Sequence, residues 1–201
     1  MTENSILSLV VDPSGVAKGV GSATSSLNGL IATASKATAI VGSVVAALGT
    51  AYKAVEAYAE SEAATSRLTA ALVKNGESAE NIVPVLQEYA GELQKLTIYG
   101  DDLTISQMAM MRNMGVQTSQ LKSATKAAMG LAATYKMSLV EATELVGKAS
   151  AGETGMLKRH GIVIELVGSD QEKFNQLMQH GVENFSQAEA AAQTFSGRLT
   201  Q

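Results

Sequence analysis

The chain contains two histidines, His160 and His180, and each stands directly before a glycine. Histidine serves proteins as a general base and as a metal ligand. It also occurs at the C-terminal ends of helices, where a partly protonated imidazole interacts favourably with the helix dipole. We interpret both histidines in this last way and assign neither of them a catalytic or metal-binding role.

The adjacent carboxylates Asp101 and Asp102 are the tightest acidic pair in the sequence. Paired carboxylates can perform acid/base catalysis. Acidic residues are also typical of helix N-termini, where they accept hydrogen bonds from free backbone N–H groups, and we predict this second role. Four methionines follow, for which we predict packing in an adaptable core or partner surface: Met108, Met110, Met111 and Met114.

Three glycines, Gly15, Gly19 and Gly21, follow a short apolar run and precede an alanine-rich stretch. A strand, a glycine-rich turn and a helix in this order can bind the pyrophosphate of NAD. Such sites also place an acidic residue about 20 positions further on to bind the ribose. No Asp or Glu occurs between Asp12 and Glu56. We therefore predict a flexible helix start and no cofactor, with a nucleotide-dependent oxidoreductase as an alternative class.

The composition favours helices and argues against several kinds of partner. Hydrophobic residues make up 46% of the chain but aromatic residues only 4%, so Ala, Val, Leu and nine Met carry the apolar content. The absence of cysteine excludes disulfides and thiolate metal sites. A net charge of −4 gives no basic surface for nucleic acid, and the pair Lys122 and Lys126 is too small to provide one.

The N-terminal third is predicted to contain a short strand and a long apolar helix. The β-branched run Ile6–Val11, stopped by Pro13, predicts the strand. Ala37–Tyr52 has 16 residues without a charge, whereas a membrane-spanning helix needs about 20 apolar residues. We predict that this helix packs against copies of itself or other helices. The alternatives are a membrane-inserting segment and the core helix of a globular domain. The helix is expected to continue to the turn at Asn75-Gly76.

Small polar residues and glycines alternate along the rest of the chain, which is typical of short, capped helices. The predicted helix starts are Ser78 or Asn81 (with Pro84 in the first turn), Asp101 or Asp102, Thr118, Ser138, Thr154, Ser169 and Ser186. Three of these starts are serines with a glutamate three residues further on, and they predict capping boxes: Ser138, Ser169 and Ser186. The β-branched run Ile162–Val167 predicts a short strand, with Ile6–Val11 as a possible partner.

These patterns predict a mainly α protein with a short N-terminal strand, a long apolar helix and a compact multi-helix domain containing one small strand pair. We divide it into residues 1–35 (strand and Gly/Ser-rich helix), 36–76 (long Ala/Val-rich helix) and 77–201 (small helical domain). The chain stops at Gln201 in a phrase typical of mid-helix, and we expect a fragment of a longer protein.

Five phrases between residues 61 and 201 occur in a characteristic order. They are the MGVQTSQL turn, the helix pair ATKAAMGLAATYKMSLVEATELVGKA, the small AG turn, the exit MLKRHGI and the closing QTFSGRLTQ. In this order they resemble a region near the N-terminus of bacteriophage tail tape-measure proteins. The phrases consist of helix caps and alanine spacing and contain no catalytic signature.

The resemblance implies a structural protein of a phage or prophage tail and no enzyme activity. It implies a scaffold around which tube subunits polymerise, whose length sets tail length and which occupies the tube lumen. The implied partners are tail tube, tail tip and tail assembly chaperone proteins, with host membrane contact on ejection and host cytoplasm as the place of assembly. We also expect self-association through the apolar helix. The alternative is a membrane-active or pore-forming helical protein that uses Ala37–Tyr52.

Overall fold

The structure of the protein is a computed structural model that describes residues 59–194. The described residues are mainly helical and belong to one compact unit. The α-helices are 59–74 (α1), Ala79–Leu96 (α2), Asp101–Asn113 (α3), Thr118–Tyr135 (α4), Leu139–Ser150 (α5), Asp170–Glu183 (α6) and Phe185–Ala192 (α7). A 3₁₀ turn, Leu157–His160, stands between α5 and α6. The predicted strand at 6–11, the glycine-rich turn and the run Ala37–Tyr52 lie outside the described residues.

Helix α4 is the centre of the unit and contacts α3, α5, α6 and α7. It is rich in alanine, and its buried residues point in several directions around the helix axis. A helix that is apolar on most of its faces has to be covered by neighbours on most of its faces. Leu121, Thr125 and Ala128, which recur at helical spacing, are buried, but the buried surface is much wider than this one stripe.

Helix α1 belongs to the same core. Its Leu68 and Leu72 are fully buried, and Ala64 and Ala71 lie beside them. The predicted turn at Asn75-Gly76 is confirmed as the end of this helix. Gly76 has φ +77, and the Asn75 side-chain N–H donates to the Ala71 carbonyl at 2.7 Å, which satisfies one of the last carbonyls of the helix.

Two of the three predicted capping boxes are confirmed. In α5 the Ser138 N–H donates to the Glu141 carboxylate at 2.9 Å and the Glu141 N–H donates to the Ser138 hydroxyl at 3.2 Å. Ser169 and Glu172 make the same pair of bonds at the start of α6. The backbone N–H bond, followed by the serine hydroxyl bond, lowers the pKa of each glutamate, because both bonds favour the ionised carboxylate.

The third capping box, at Ser186, is wrong. Helix α7 begins at Phe185, and its preceding residue Asn184 makes no side-chain cap. Asn184 instead donates from its side chain to the His180 carbonyl at 2.8 Å and lies close to helical geometry, with φ −86 and ψ 1. The chain therefore passes from α6 to α7 with only one non-helical residue, so Ser186 lies inside the helix.

Of two other predicted starts, Ser78 is confirmed, with Pro84 one turn later than predicted, and Thr154 is wrong. Helix α2 begins after Ser78, so Pro84 lies in its second turn and removes an N–H that would otherwise bond to the Glu80 carbonyl. Thr154 does not open a helix by itself. Its carbonyl accepts from the Leu157 N–H at 3.2 Å, and the 3₁₀ turn follows from that residue.

The predicted strand at Ile162–Val167 is also wrong, since residues 59–194 contain no strand. The segment does alternate between buried and exposed residues, as a strand would. A strand, however, is defined by hydrogen bonds to a neighbouring strand, and no described residue supplies that neighbour. Periodicity predicted the side-chain pattern correctly and the pairing incorrectly.

Helices α4 and α6 cross at a point where only glycine fits. A Cβ atom added to Gly130 would lie 2.0 Å from the Gly181 carbonyl oxygen and 2.9 Å from the Phe185 nitrogen. A Cβ atom added to Gly181 would lie 2.6 Å from the Ala127 carbonyl oxygen. The obstructing atoms belong to the backbone, so no side-chain movement can make room. Gly181 therefore does not end its helix, as its position after His180 suggested, but permits the contact with α4.

Replacing Gly130 or Gly181 with alanine is expected to destabilise the protein by about 2–3 kcal/mol or more, because the helices must separate to admit the methyl group. The measurement is chemical unfolding of each variant in urea. Gly91→Ala in α2 is the matched control, because a Cβ atom there meets nothing within 4 Å. This control should stabilise the protein by up to about 1 kcal/mol through helix propensity. Equal effects at all three glycines would contradict the close crossing.

The capping boxes predict a specific pH dependence. Because the folded-state pKa of Glu141 and of Glu172 is lowered, their stabilisation is present above the unfolded-state value of about 4.3 and is lost as the pH falls through the folded-state pKa. The unfolding free energy of the double variant Glu141→Gln/Glu172→Gln and that of the unchanged protein should differ near neutral pH and converge in acid. Glu88→Gln, at an exposed position in α2, is the control and should show little difference. A difference that is constant across the pH range would refute the assignment.

Candidate functional site

The two histidines lie at helix ends, where the sequence predicts them. His160 is the last residue of the 3₁₀ turn, and His180 lies in the last turn of α6. His180 has a partner that the sequence does not reveal, since its Nε2 is 2.8 Å from the Tyr135 hydroxyl oxygen of α4. Within residues 59–194 no group of three or more His, Asp or Glu side chains is placed to hold a metal ion.

A carboxylate lies near His180 that was not singled out from the sequence. Glu183 follows His180 by three residues, one helical turn along α6, and both side chains line a groove of about 380 Å³ against the segment 164–167. The spacing is visible in the sequence and could have indicated their proximity. The Glu183 carboxylate accepts from Gln179 at 2.9 Å.

The acidic pair Asp101 and Asp102 opens α3, as predicted. Gly100 precedes the helix and carries no side chain to cap it, and the Asp101 carboxylate accepts from the Asp102 N–H at 3.0 Å. A carboxylate at a helix N-terminus also interacts favourably with the helix dipole. The pair thus has a structural explanation in hydrogen bonding and dipole interaction.

The methionine cluster lies mainly in the core. Met108 and Met111 are fully buried. Met114 is partly exposed and its side chain packs over Gly147 of α5, where an added Cβ would lie 2.5 Å from the sulfur. These contacts agree with the interpretation of the cluster as adaptable packing material, because a flexible thioether fills irregular gaps between helices.

The pair Lys122 and Lys126 does more than cover a solvated face. The Lys122 ammonium lies 5.2 Å from the Tyr89 ring centroid, and the Lys126 ammonium lies 4.5 Å from that of Phe185. The Tyr89 hydroxyl also donates to the Lys122 carbonyl at 3.0 Å, and burial, with a smaller contribution from Glu92, raises the Tyr89 pKa. These contacts attach α2 and α7 to α4.

Both lysines stand three residues after a serine, at Ser119 and Ser123, a spacing that was not singled out from the sequence. A lysine can activate a serine nucleophile only within hydrogen-bond reach. In the described residues neither lysine donates to its serine, and each ammonium lies over an aromatic ring instead. The spacing therefore does not produce a nucleophile–base pair in this structure.

The strongest polar constellation was missed altogether, and we call it the Glu77 cluster: Glu77, Arg112 and Thr118. Glu77 lies in the turn between α1 and α2, Arg112 in the last turn of α3, and Thr118 at the start of α4. The Arg112 guanidinium donates to the Glu77 carboxylate at 3.1 Å, and the Thr118 hydroxyl donates to its other oxygen. Thr118 therefore begins its helix as predicted, but its side chain binds Glu77 instead of capping.

The Glu77 cluster is well shielded from water. The side chains of Arg112 and Glu77 are 10% and 28% exposed, and Arg112 also donates to the Val116 carbonyl at 3.4 Å. The cluster lines a concavity of about 410 Å³ together with Asn75 and Gln117. Arg112 was the available signal, because an arginine among the methionines of α3 must find a carboxylate when it is buried.

The chemistry of the Glu77 cluster is that of an internal cross-link. The charges of Arg112 and Glu77 neutralise each other, and the Thr118 hydroxyl donates its hydrogen bond to Glu77. The hydrogen bonds join the α1–α2 turn to the α3–α4 turn, two connections that are far apart in the sequence. We infer that the cluster fixes the position of α1 against the rest of the unit.

No family model, no curated protein and no solved structure matches the chain.

Breaking the Glu77 cluster from one side is expected to be costly. Glu77→Gln should destabilise the protein by about 2–3 kcal/mol, because Arg112 keeps its charge in a shielded position without a counter-ion. The control is Glu144→Gln, which breaks the more exposed Lys148–Glu144 pair (3.4 Å) and should cost at most about 0.5 kcal/mol. Both values come from urea unfolding. A Glu77→Gln effect no larger than the control would show that the cluster does not hold α1.

Proposed function

We propose that the chain is a structural region of a bacteriophage or prophage tail tape-measure protein. The observation that supports this proposal is where the phrases of the resemblance fall in the fold. MGVQTSQL forms the α3–α4 turn, with Gly115 at φ +101, and MLKRHGI forms the 3₁₀ turn and its exit at Gly161. The helix pair between them is α4 and α5, the buried centre of the unit. The phrases are those that build a helical framework.

In this proposal the protein works through length and assembly instead of a catalytic step. It acts as a scaffold around which tail-tube subunits polymerise, sets tail length and occupies the tube lumen. Its partners are the tail tube, tail tip and tail assembly chaperone proteins, with assembly in the host cytoplasm and membrane contact on ejection. We do not propose recognition of a specific nucleic-acid sequence.

The proposal includes a long helix over residues 36–76 and a short strand near residues 6–11. Of the long helix, residues 59–74 are described and are helical. At 1.5 Å per residue such a helix would be about 60 Å long, a useful element for a protein whose task is to span distance. We propose that its apolar part mediates self-association of several copies.

The second candidate is a membrane-active helical protein that uses Ala37–Tyr52. The sequence observation in its favour is the run of 16 uncharged residues. Among residues 59–194 no helix is both long and apolar enough to cross a membrane. The two candidates predict different results when the chain is lengthened: the tape measure predicts longer tails, and the membrane-active protein predicts unchanged tails.

The decisive experiment is to insert a helical block of 40 residues in frame after codon 201 of the parent gene and to measure tails by electron microscopy. A tape measure predicts tails longer by about 60 Å, since an extended helix adds about 1.5 Å per residue. Unchanged tails at normal particle yield would overturn the proposal and favour the membrane-active candidate.

A further inference from the structure

The segment 162–167 has the side-chain pattern of a strand but stands beside helices. Ile162 is buried at 1% exposure, whereas Val163 is 79% and Val167 57% exposed, and the half-buried Ile164 and Leu166 pack against the core. This period of two is that of an extended chain. β-Branched residues such as Val163 and Val167 are favoured in strands, where they pack against the side chains of a neighbouring strand.

At one edge of this segment, the backbone of Val167 is already hydrogen-bonded. The Gln176 side chain of α6 donates to the Val167 carbonyl at 2.9 Å, and its oxygen accepts from the Val167 N–H at 3.1 Å. A side-chain amide thus makes both hydrogen bonds that a neighbouring strand would make at this residue. Within the described part of the chain, the backbone groups of residues 163–166 have no hydrogen-bond partner.

The geometry of an extended chain shows which of these groups share the paired edge. The N–H and C=O of every second residue point the same way, so those of Glu165 and Val163 point to the edge that Gln176 occupies at Val167. The groove of about 380 Å³ lies between this segment and α6. An extended peptide in the groove would continue at Glu165, and beyond the groove at Val163, the pairing that Gln176 starts.

The charge of the groove indicates what kind of peptide fits. Its lining includes the carboxylates of Glu165 and Glu183 and contains no Lys or Arg. Lys173, the lysine of α6, is bound to Asp170 at 3.4 Å and does not line the groove. The remaining titratable group in the lining is His180, which is held by Tyr135. Basic side chains are therefore the complement of this groove.

The same charges disfavour a second copy of this chain. Pairing of two 163–167 edges would bring one Glu165 close to the other, and like charges in neighbouring strands are destabilising. The apolar residues Val163 and Val167 would still be covered by a different, basic strand.

We propose that the 163–167 edge binds an extended segment of a partner protein that alternates β-branched and basic residues, by addition of a strand. The partner backbone pairs with Val163 and Glu165, and its Lys or Arg side chains face Glu165 and Glu183. This inference goes beyond the tail function proposed above and does not depend on it.

The test uses the full 201-residue chain and a fluorescently labelled peptide, TKVKVT, with blocked ends. Binding is measured by fluorescence anisotropy at low salt, with the acidic peptide TEVEVT as the matched probe. We expect TKVKVT to bind at least about tenfold more tightly, because two attractive charge contacts replace two repulsive ones. Glu165→Gln or Glu183→Gln should each weaken binding by up to about fivefold, and the effect should shrink with added salt.

The backbone part of the proposal has its own variant. Val163→Pro removes the N–H at the edge, while the exposed side chain can be changed without loss of core packing. It should weaken TKVKVT binding at least about fivefold, whereas Val163→Thr keeps the N–H and a β-branched side chain and should weaken it clearly less. Equal thermal unfolding of the two variants shows that both are folded.

Three results would overturn the proposal. One is the absence of TKVKVT binding, and another is equal binding of the acidic and basic peptides. The third is a self-association of the chain that Val163→Pro abolishes, since this would make a second copy the occupant of the edge.

Discussion

The close approach of α4 and α6 at Gly130 and Gly181 is the contact on which the rest of the unit depends. It brings two helix backbones together without intervening side chains, and the same position of Gly130 leaves room for the first residue of α7. A chain with few aromatic residues cannot fill wide gaps between helices. Bringing the helices close together is the other way to reach a dense core, and small residues are what make it possible.

Residues of the core and residues of the turns contribute differently to the packing of these helices. The buried faces of α4 and α5 are mainly alanine, glycine and leucine, which permit close packing but do little to fix the orientation of the helices. The orientation of the helices is fixed by polar groups at the helix ends: the capping boxes of Ser138 and Ser169, and the Glu77 cluster. These polar contacts each satisfy backbone or charged groups that would be costly to leave unpaired, so they restrict where each helix begins relative to its neighbours.

The features that could be predicted from the sequence are those determined within one helical turn. Ser138 and Glu141 are three residues apart, so the box they form is complete in the local sequence. The role of Gly181 was not predicted because it depends on Gly130, a residue of another helix. Ile162–Val167 was misassigned because periodicity reports which side chains are buried and does not report a hydrogen-bonding partner. Glu77 and Arg112 were missed because they are 35 residues apart, so their ion pair is not visible in the local sequence.

The contrast between buried and exposed features also bears on function. The phrases within residues 114–162 on which the tape-measure proposal rests lie in turns and in buried helices, and their side chains are engaged inside the unit by caps, close packing and cation–π contacts. Such residues can specify a rigid module but cannot select a partner, because partners contact surfaces. The edge at 163–167 is different, since the side chains of Val163, Val167 and Glu165 make no described hydrogen bond or ion pair while Gln176 holds the segment in place. A surface that is held in a defined position without contributing to the core is where recognition is best sought in this unit.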